Sequence, residues 1–531
     1  MKRSVRFLLS VSSGILLSLS WLGFPGWTLF FAFVPLLYLD HFFVEQKENY
    51  RGVSFFGHAL VAVTIWNVST TFWVANATLV GALLAFTANS FFMSLVWWLI
   101  HWTRRRFKSN LGYFALIGFW ITFEFLHYHW DIEWPWLQLG NGFANNIKMV
   151  QWYEYTGVFG GTLWVLIMNI LLFKILRNFL NKSTLQKSFY PVTLFVLLLI
   201  IPLSLSLQLY HTYSSKEDPR NIVIVQPNID PYSEEYGLEA ETVKLNTFIK
   251  LAQSKANDST DFIIGPETVF ESPGYWKESQ LSSNRFLRQL DRMLQQYRKA
   301  ELVFGVSSIK IYPNIENATP TARIQGDIAY DRFNTAIFLD RKGETQIYHK
   351  SKLVVGVEKM PFSKYLGFIK DIVINIGGTT GSLGRQTEPS NFTAKDGIKV
   401  APVICYESIF GEYITGYVKK GAGLIFIITN DGWWKNTPGY RQHMSFARLR
   451  AIETRRSIAR SANTGISCFI NQRGDVSQPT GWWKEAAISG TLHVNDKITF
   501  YVKYGDYIAR VSVFLSVLLI LSLIVRVKVK G

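Results

Sequence analysis

The sequence predicts a polytopic α-helical membrane protein with about eight transmembrane helices and an α/β layered domain inserted before the last of them. Three observations lead there. Of the 531 residues, 49% are hydrophobic and 15% aromatic, with positive mean hydropathy, more apolar than an ordinary soluble domain. The long apolar runs lie almost entirely before Tyr213 or after Ala509. Between those limits short β-branched runs alternate with polar helical stretches, the order of a layered α/β fold.

The first part, residues 1–213, reads as a bundle of seven helices at 5–23, 25–44, 53–75, 78–100, 111–129, 159–179 and 191–210, each near the roughly 20 residues that span a bilayer core. Met1 to Ser20 has the charged start of a secretory signal but no convincing small-residue cleavage site, so it reads as a retained first helix. An eighth helix at 507–527 has a charge-free centre only from Val511 to Val525, which requires Arg510 and Arg526 to snorkel to the interfaces.

Charge sets the expected orientation, because Lys and Arg near span ends stay cytoplasmic. Lys2, Arg3 and Arg6 begin the chain. Lys47 and Arg51, then Arg104, Arg105, Arg106 and Lys108, then Lys174, Arg177, Lys182 and Lys187 fall in alternate connections, and Arg526, Lys528 and Lys530 end it. Seven crossings from an inside start put the segment after Tyr213 outside. The net charge of +17 is therefore largely topogenic, and no nucleic-acid partner is expected.

The outer domain, 220–501, is expected to hold strands at Ile222–Val225, Phe262–Gly265 and Leu302–Ser307, with helices near 239–256 and 281–299. Ala336–Leu339 and Thr345–His349 flank Asp340-Arg341-Lys342-Gly343, a hairpin turn with glycine where positive φ is needed, which presents Lys350 at a strand end. Strands at 400–404 and 424–428, a helix near 441–455, and strands at 457–462 and 466–471 complete the reading.

Three contexts carry chemistry: Pro266-Glu267-Thr268, Tyr348-His349-Lys350 and Ile404-Cys405-Tyr406-Glu407. A base, a cation and a thiol are what thiol-based acyl chemistry requires. Cys405 leaves an apolar strand, whereas Cys468 sits inside one and reads as a core thiol; the two are too few for a disulfide framework. On sequence alone, Lys352 competes with Lys350. Neither His-Glu-x-x-His nor paired-cysteine spacing occurs, so no metal or other cofactor is expected.

At these residues the chain resembles the carbon-nitrogen hydrolase (nitrilase) superfamily, and within it the bacterial apolipoprotein N-acyltransferase family. The resemblance runs through Tyr348-His349-Lys350-Ser351-Lys352-Leu353-Val354, Cys405-Tyr406-Glu407, Asn430-Asp431-Gly432-Trp433, Arg450-Ala451-Ile452-Glu453 and Asn463-Thr464-Gly465-Ile466-Ser467. It extends into the membrane part at Trp134-Pro135-Trp136-Leu137, Gln151-Trp152 and Thr156-Gly157. It departs at Lys352, where the family usually has histidine, and at Val355-Gly356-Val357, where Pro-Phe-Gly is usual; the family's early aromatic aligns loosely with Tyr232 or Tyr236.

That resemblance implies a nitrilase-like αββα sandwich and a Glu267, Lys350, Cys405 triad. Glu267 is the implied base, Lys350 the thiolate and oxyanion partner, Cys405 the nucleophile. Glu358 is implied to orient Lys350, the Tyr406 N–H to help bind the oxyanion, and Glu407 and Trp433 to support the site or meet substrate. The implied partners are a phospholipid acyl donor, a diacylglyceryl apolipoprotein acceptor and membrane lipid, met by a monomer whose catalytic domain is periplasmic to the bacterial inner membrane. Two other readings remain. A membrane-tethered nitrilase-type amidase fits the triad, but eight spans would serve no purpose. A transporter or scaffold would use the intramembrane polar groups Glu124, His127, Asn67 and Asn89.

Overall fold

The computed structural model describes residues 1–107, 111–182, 184–215, 218–232, 237–270, 275–362 and 382–530. Lys108, Lys216 and Tyr236 lie outside them, as does the side chain of Arg526. The chain divides into two compact units, one of Met1–Ala75, Leu79–Thr212 and Tyr504–Gly531, the other of Asn76–Thr78 and Tyr213–Lys503.

In the first unit, among the described residues, seven helices are long and apolar enough to cross a membrane: Arg3–Leu22, Gly26–Glu45, Val53–Thr71, Leu79–Arg106, Val158–Leu180, Gln186–Thr212 and Tyr507–Val525. Apolar side chains such as Phe179, Phe189 and Ile201 stand exposed on them, as a lipid-facing surface requires. The expected span at 111–129 is shorter, Leu111–Leu126. It ends where His127, Tyr128 and His129 turn away, with the Trp130 N–H closing on the Leu126 carbonyl at 3.1 Å. The sixteen described residues of this helix cover about 24 Å against a core of about 30 Å.

The polar groups a transporter would use are tied into this packing. Glu124 accepts from the Leu139 N–H and Trp120 Nε1, both at 2.9 Å, and from Thr162 Oγ1 at 2.7 Å. Asn67 Nδ2 donates to the Val63 carbonyl at 2.8 Å, and its Oδ1 accepts from Asn89 at 2.7 Å. His127 Nδ1 accepts from Trp130 Nε1 at 3.1 Å.

The second unit contains two sheets. The strands are β1 (Pro219–Gln226), β2 (Phe262–Ile264), β3 (Trp276–Lys277), β4 (Glu301–Tyr312), β5 (Arg323–Gln325), β6 (Ile328–Leu339), β7 (Thr345–His349), β8 (Phe392–Thr393), β9 (Lys399–Ile404), β10 (Ala422–Thr429), β11 (Ser457–Ala462), β12 (Cys468–Ile470), β13 (Val476–Ser477) and β14 (Ala486–His493). One sheet runs β14-β1-β2-β4-β6-β5, with β3 added at β4 and β7 at β6; the other runs β13-β12-β11-β10-β9-β8.

The period-two alternation of a strand explains the layering. Ile222, Ile224, Phe262, Ile264 and Val303 point inward and pack on Val403, Leu424 and Phe426 of the second sheet. Their neighbours Val223, Val225, Ile263, Leu302 and Phe304 point outward under the helices Leu238–Gln253 and Arg285–Leu294. Ala447 and Ala451, from the helix Pro438–Thr454, pack with the second sheet, giving the expected αββα order.

The hairpin turn forms as expected, with Gly343 at φ +76° and Asp340 Oδ1 accepting from the Lys342 and Glu344 N–H groups at 2.8 Å. The helix expected over 281–299 is confined to Arg285–Leu294, because the Asn284 side chain caps its start by accepting from the Phe286 and Leu287 N–H groups. Strand β14, where Gly490 lies between Ser489 and Thr491, was not anticipated. It pairs antiparallel along the whole of β1.

Candidate active site

Glu267 sits one turn past β2. The Gly265 N–H donates to Val303 at 2.7 Å and the Gly305 N–H to Pro266 at 2.9 Å, which welds this loop to β4. Thr268 then takes φ +43°, a strained conformation for a β-branched residue. Glycine at 305 is required sterically: a Cβ there would stand 2.7 Å from both Glu267 Cα and Thr268 N.

Lys350 leaves β7 beside the same loop. Its Nζ donates to Glu267 Oε1 at 3.0 Å and to Glu358 Oε1 at 2.9 Å. Asn334, from β6, completes the square, with Nδ2 donating to the same two oxygens at 2.6 and 3.0 Å and its carbonyl accepting the Lys350 N–H at 2.9 Å. The second oxygen of Glu267 accepts the Asn430 N–H at 3.0 Å, and that of Glu358 the Val354 N–H at 2.8 Å. Lys350 is 1% exposed and Glu267 6%, so this ion pair is out of water. Burial works against the ammonium, but Glu267 and Glu358 outweigh it and hold the lysine well above its ordinary range.

Cys405 begins the 3-10 turn that follows β9, at φ +49°. Burial pushes its thiol up, the negative charge of Glu267 adds to that, and Lys350 opposes it. The resting thiol is therefore protonated, which is the state a neighbouring base must act on. Lys352, the competing lysine, instead places its Nζ over the Phe410 ring at 4.9 Å. Cys468 is fully buried in β12, where burial raises its thiol to about 11.

The remaining expected residues divide. Glu358 joins the cluster. Glu407 is wholly buried beneath the elbow, where Oε2 accepts the Ile404 N–H at 2.8 Å and Oε1 accepts from the Ser351 N–H at 2.7 Å and Tyr348 Oη at 2.6 Å. Burial lifts its carboxyl to about 7. Glu407 thus ties the cysteine strand end to the lysine strand end. The Tyr406 ring is buried against Phe410, with centroids 5.3 Å apart. Trp433 is 43% exposed and edges onto Tyr232 at 5.4 Å. Asn334 and His443 were missed. The one local signal at Asn334 was a polar residue opening the apolar run to Leu339.

The sequence pattern of the carbon-nitrogen hydrolase family fits residues 222–497, and that of the apolipoprotein N-acyltransferase N-terminal domain fits residues 13–171. Apolipoprotein N-acyltransferase of Chlorobaculum tepidum is 29% identical over 98% of this chain and 97% of its own. That of Geobacter metallireducens is 27% identical over 95% and 92%. Among solved structures, an amidase from Nesterenkonia sp. is 17% identical over 54% of this chain and 92% of its own, with a TM-score of 0.35. Since the first of these patterns spans more than half of the 531 residues, the chain belongs to the carbon-nitrogen hydrolase family.

Proposed function

We propose that the chain transfers a fatty acyl group from a membrane phospholipid to the α-amino group of the diacylglyceryl-cysteine that begins an apolipoprotein. The observation that carries this reading is the water-excluded square of Glu267, Lys350, Glu358 and Asn334 acting on a protonated Cys405, in a chain with seven membrane-length helices. Full-length similarity to apolipoprotein N-acyltransferases supports it.

In the first half, Glu267 takes the Sγ proton as sulfur attacks the ester carbonyl. The developing oxyanion is met by Lys350 and the Tyr406 N–H, donors typically worth about 3 to 4 kcal/mol each. The C–O bond then breaks, the proton passes to the lysophospholipid oxygen, and a thioester remains on Cys405. In the second half the α-amine attacks that thioester, the C–S bond breaks, and the amine's proton returns through Glu267 to sulfur. Exclusion of water protects the thioester between halves. With both substrates anchored in one leaflet, the basic residues in alternate connections favour a catalytic unit on the periplasmic side of the bacterial inner membrane. The exposed Trp433 suits the interface there.

The test is transfer from phosphatidylethanolamine vesicles to a diacylated lipopeptide by the purified full chain. Cys405→Ala is expected to fall below a few per cent of wild type, about a hundredfold loss or more, while Cys468→Ala keeps most activity. Equal loss in both variants, or transfer retained without Cys405, contradicts the proposal.

A further inference from the structure

Behind the Cys405 backbone lies a chain of polar side chains, each no more than 1% exposed, that the acyl-transfer steps do not use. The Cys405 carbonyl oxygen is 2.7 Å from Ser408 Oγ and 3.1 Å from His443 Nε2, and those two atoms are 2.9 Å apart. His443 Nδ1 faces Asp431 Oδ1 at 3.0 Å. Arg460 Nη2 donates to both oxygens of Asp431, at 3.2 and 2.9 Å, and stands 3.0 Å from the same ring nitrogen, so one guanidinium ties the carboxylate and the ring together. Burial works to raise the Asp431 carboxyl, but Arg460 outweighs it and holds the carboxyl at about 2.

Serine, histidine and aspartate in this order copy the layout of a serine nucleophile with its base. Here the hydroxyl hydrogen is directed to a carbonyl, and Ser408 is 1% exposed. A carbonyl oxygen only accepts, so Nε2 carries the proton it shares with that oxygen. Two donors therefore clamp the carbonyl of the one residue in the turn that occupies the left-handed region, at φ +49°. That conformation is costly for a non-glycine residue and persists only where its surroundings over-determine it.

We propose that His443, held in place by the Arg460–Asp431 pair, is a positioning residue that holds the Cys405 elbow left-handed and so fixes where its sulfur stands relative to Glu267 and Lys350. The inference rests on Cys405 as nucleophile, which Cys405→Ala tests separately. A small displacement of a reacting atom is enough to cost on the order of a hundredfold in rate.

The full chain is incubated with phosphatidylethanolamine vesicles, and the rate and KM of acylation at Cys405 are read by mass, alongside the unfolding midpoint. Three variants are compared. His443→Leu removes the donor; His443→Gln restores an N–H near the Nε2 position; Ser408→Ala removes the second donor without added volume. The expected result is a kcat about ten- to a hundredfold lower in His443→Leu, at unchanged KM, with substantial rescue in His443→Gln and a several-fold loss in Ser408→Ala. Wild-type acylation rates in His443→Leu overturn the proposal. So does a His443→Gln variant as slow as His443→Leu with the same drop in unfolding midpoint, which marks a purely structural histidine. Should His443→Leu not fold, unchanged kcat in both other variants overturns it, and a kcat loss in Ser408→Ala at unchanged KM supports it.

Discussion

Lys350 and Lys352 are the same side chain two positions apart in one strand exit, yet their surroundings differ completely. Lys350 is buried between two carboxylates; Lys352 lies partly exposed against Phe410. Lys350→Met leaves Glu267 and Glu358 facing each other without the cation and removes an oxyanion donor. A loss of about a hundred- to a thousandfold in transfer is expected, against about twofold or less for Lys352→Met. Steady-state transfer to a diacylated lipopeptide measures both, and the reverse order would show that the active-site lysine had been misassigned. The lysine, Glu267 and Cys405 were legible because each sits in a short local motif. Asn334 was not, because its meaning lies in bringing β6 to two carboxylates 67 and 24 residues away. Glu407 was legible as important, but its partners, Ile404, Ser351 and Tyr348, make it a brace beneath the elbow rather than a substrate contact.

At the scale of elements, the site depends on how closely two strand ends approach. Gly305 on β4 lets the Glu267 loop cross it, and a methyl group there collides with backbone rather than with a movable side chain. Gly305→Ala is therefore expected to lower kcat on the order of a hundredfold while the protein still folds. Transfer assays paired with a thermal unfolding midpoint check this; wild-type kcat would mean that the loop yields without disturbing Glu267. Apolar runs located β1, β2, β9 and β10 to within a few residues, since a continuous apolar stretch is a local property of the sequence. Periodicity failed at β14, whose Gly490 and polar neighbours carry little pattern and which is specified by its pairing to β1. It also overran the helix Arg285–Leu294, whose start is fixed by the Asn284 side-chain cap.

For the whole molecule, the short helix Leu111–Leu126 decides the topology. Arg104 to Arg106 precede it, and Lys174, Arg177 and Lys182 end the next long helix. Both basic clusters stay cytoplasmic only if the short helix crosses, which its limited length allows through tilt-free insertion and local thinning of the bilayer. A reporter fused near residue 216 is then expected to behave as periplasmic and one after Lys530 as cytoplasmic. A cytoplasmic signal at the first position would place Cys405 on the wrong side for lipoprotein acylation. The division into a membrane part and a layered domain was legible from composition, whereas this parity rests on a helix that hydropathy overextended. The most direct test of the central claim is the mass of the Cys405 peptide from full-length protein incubated with phosphatidylethanolamine vesicles of a single acyl chain. That acyl mass is expected on Cys405, lost again when a diacylated lipopeptide is added; transfer to the lipopeptide with no acyl mass ever present on Cys405 would contradict a thioester mechanism.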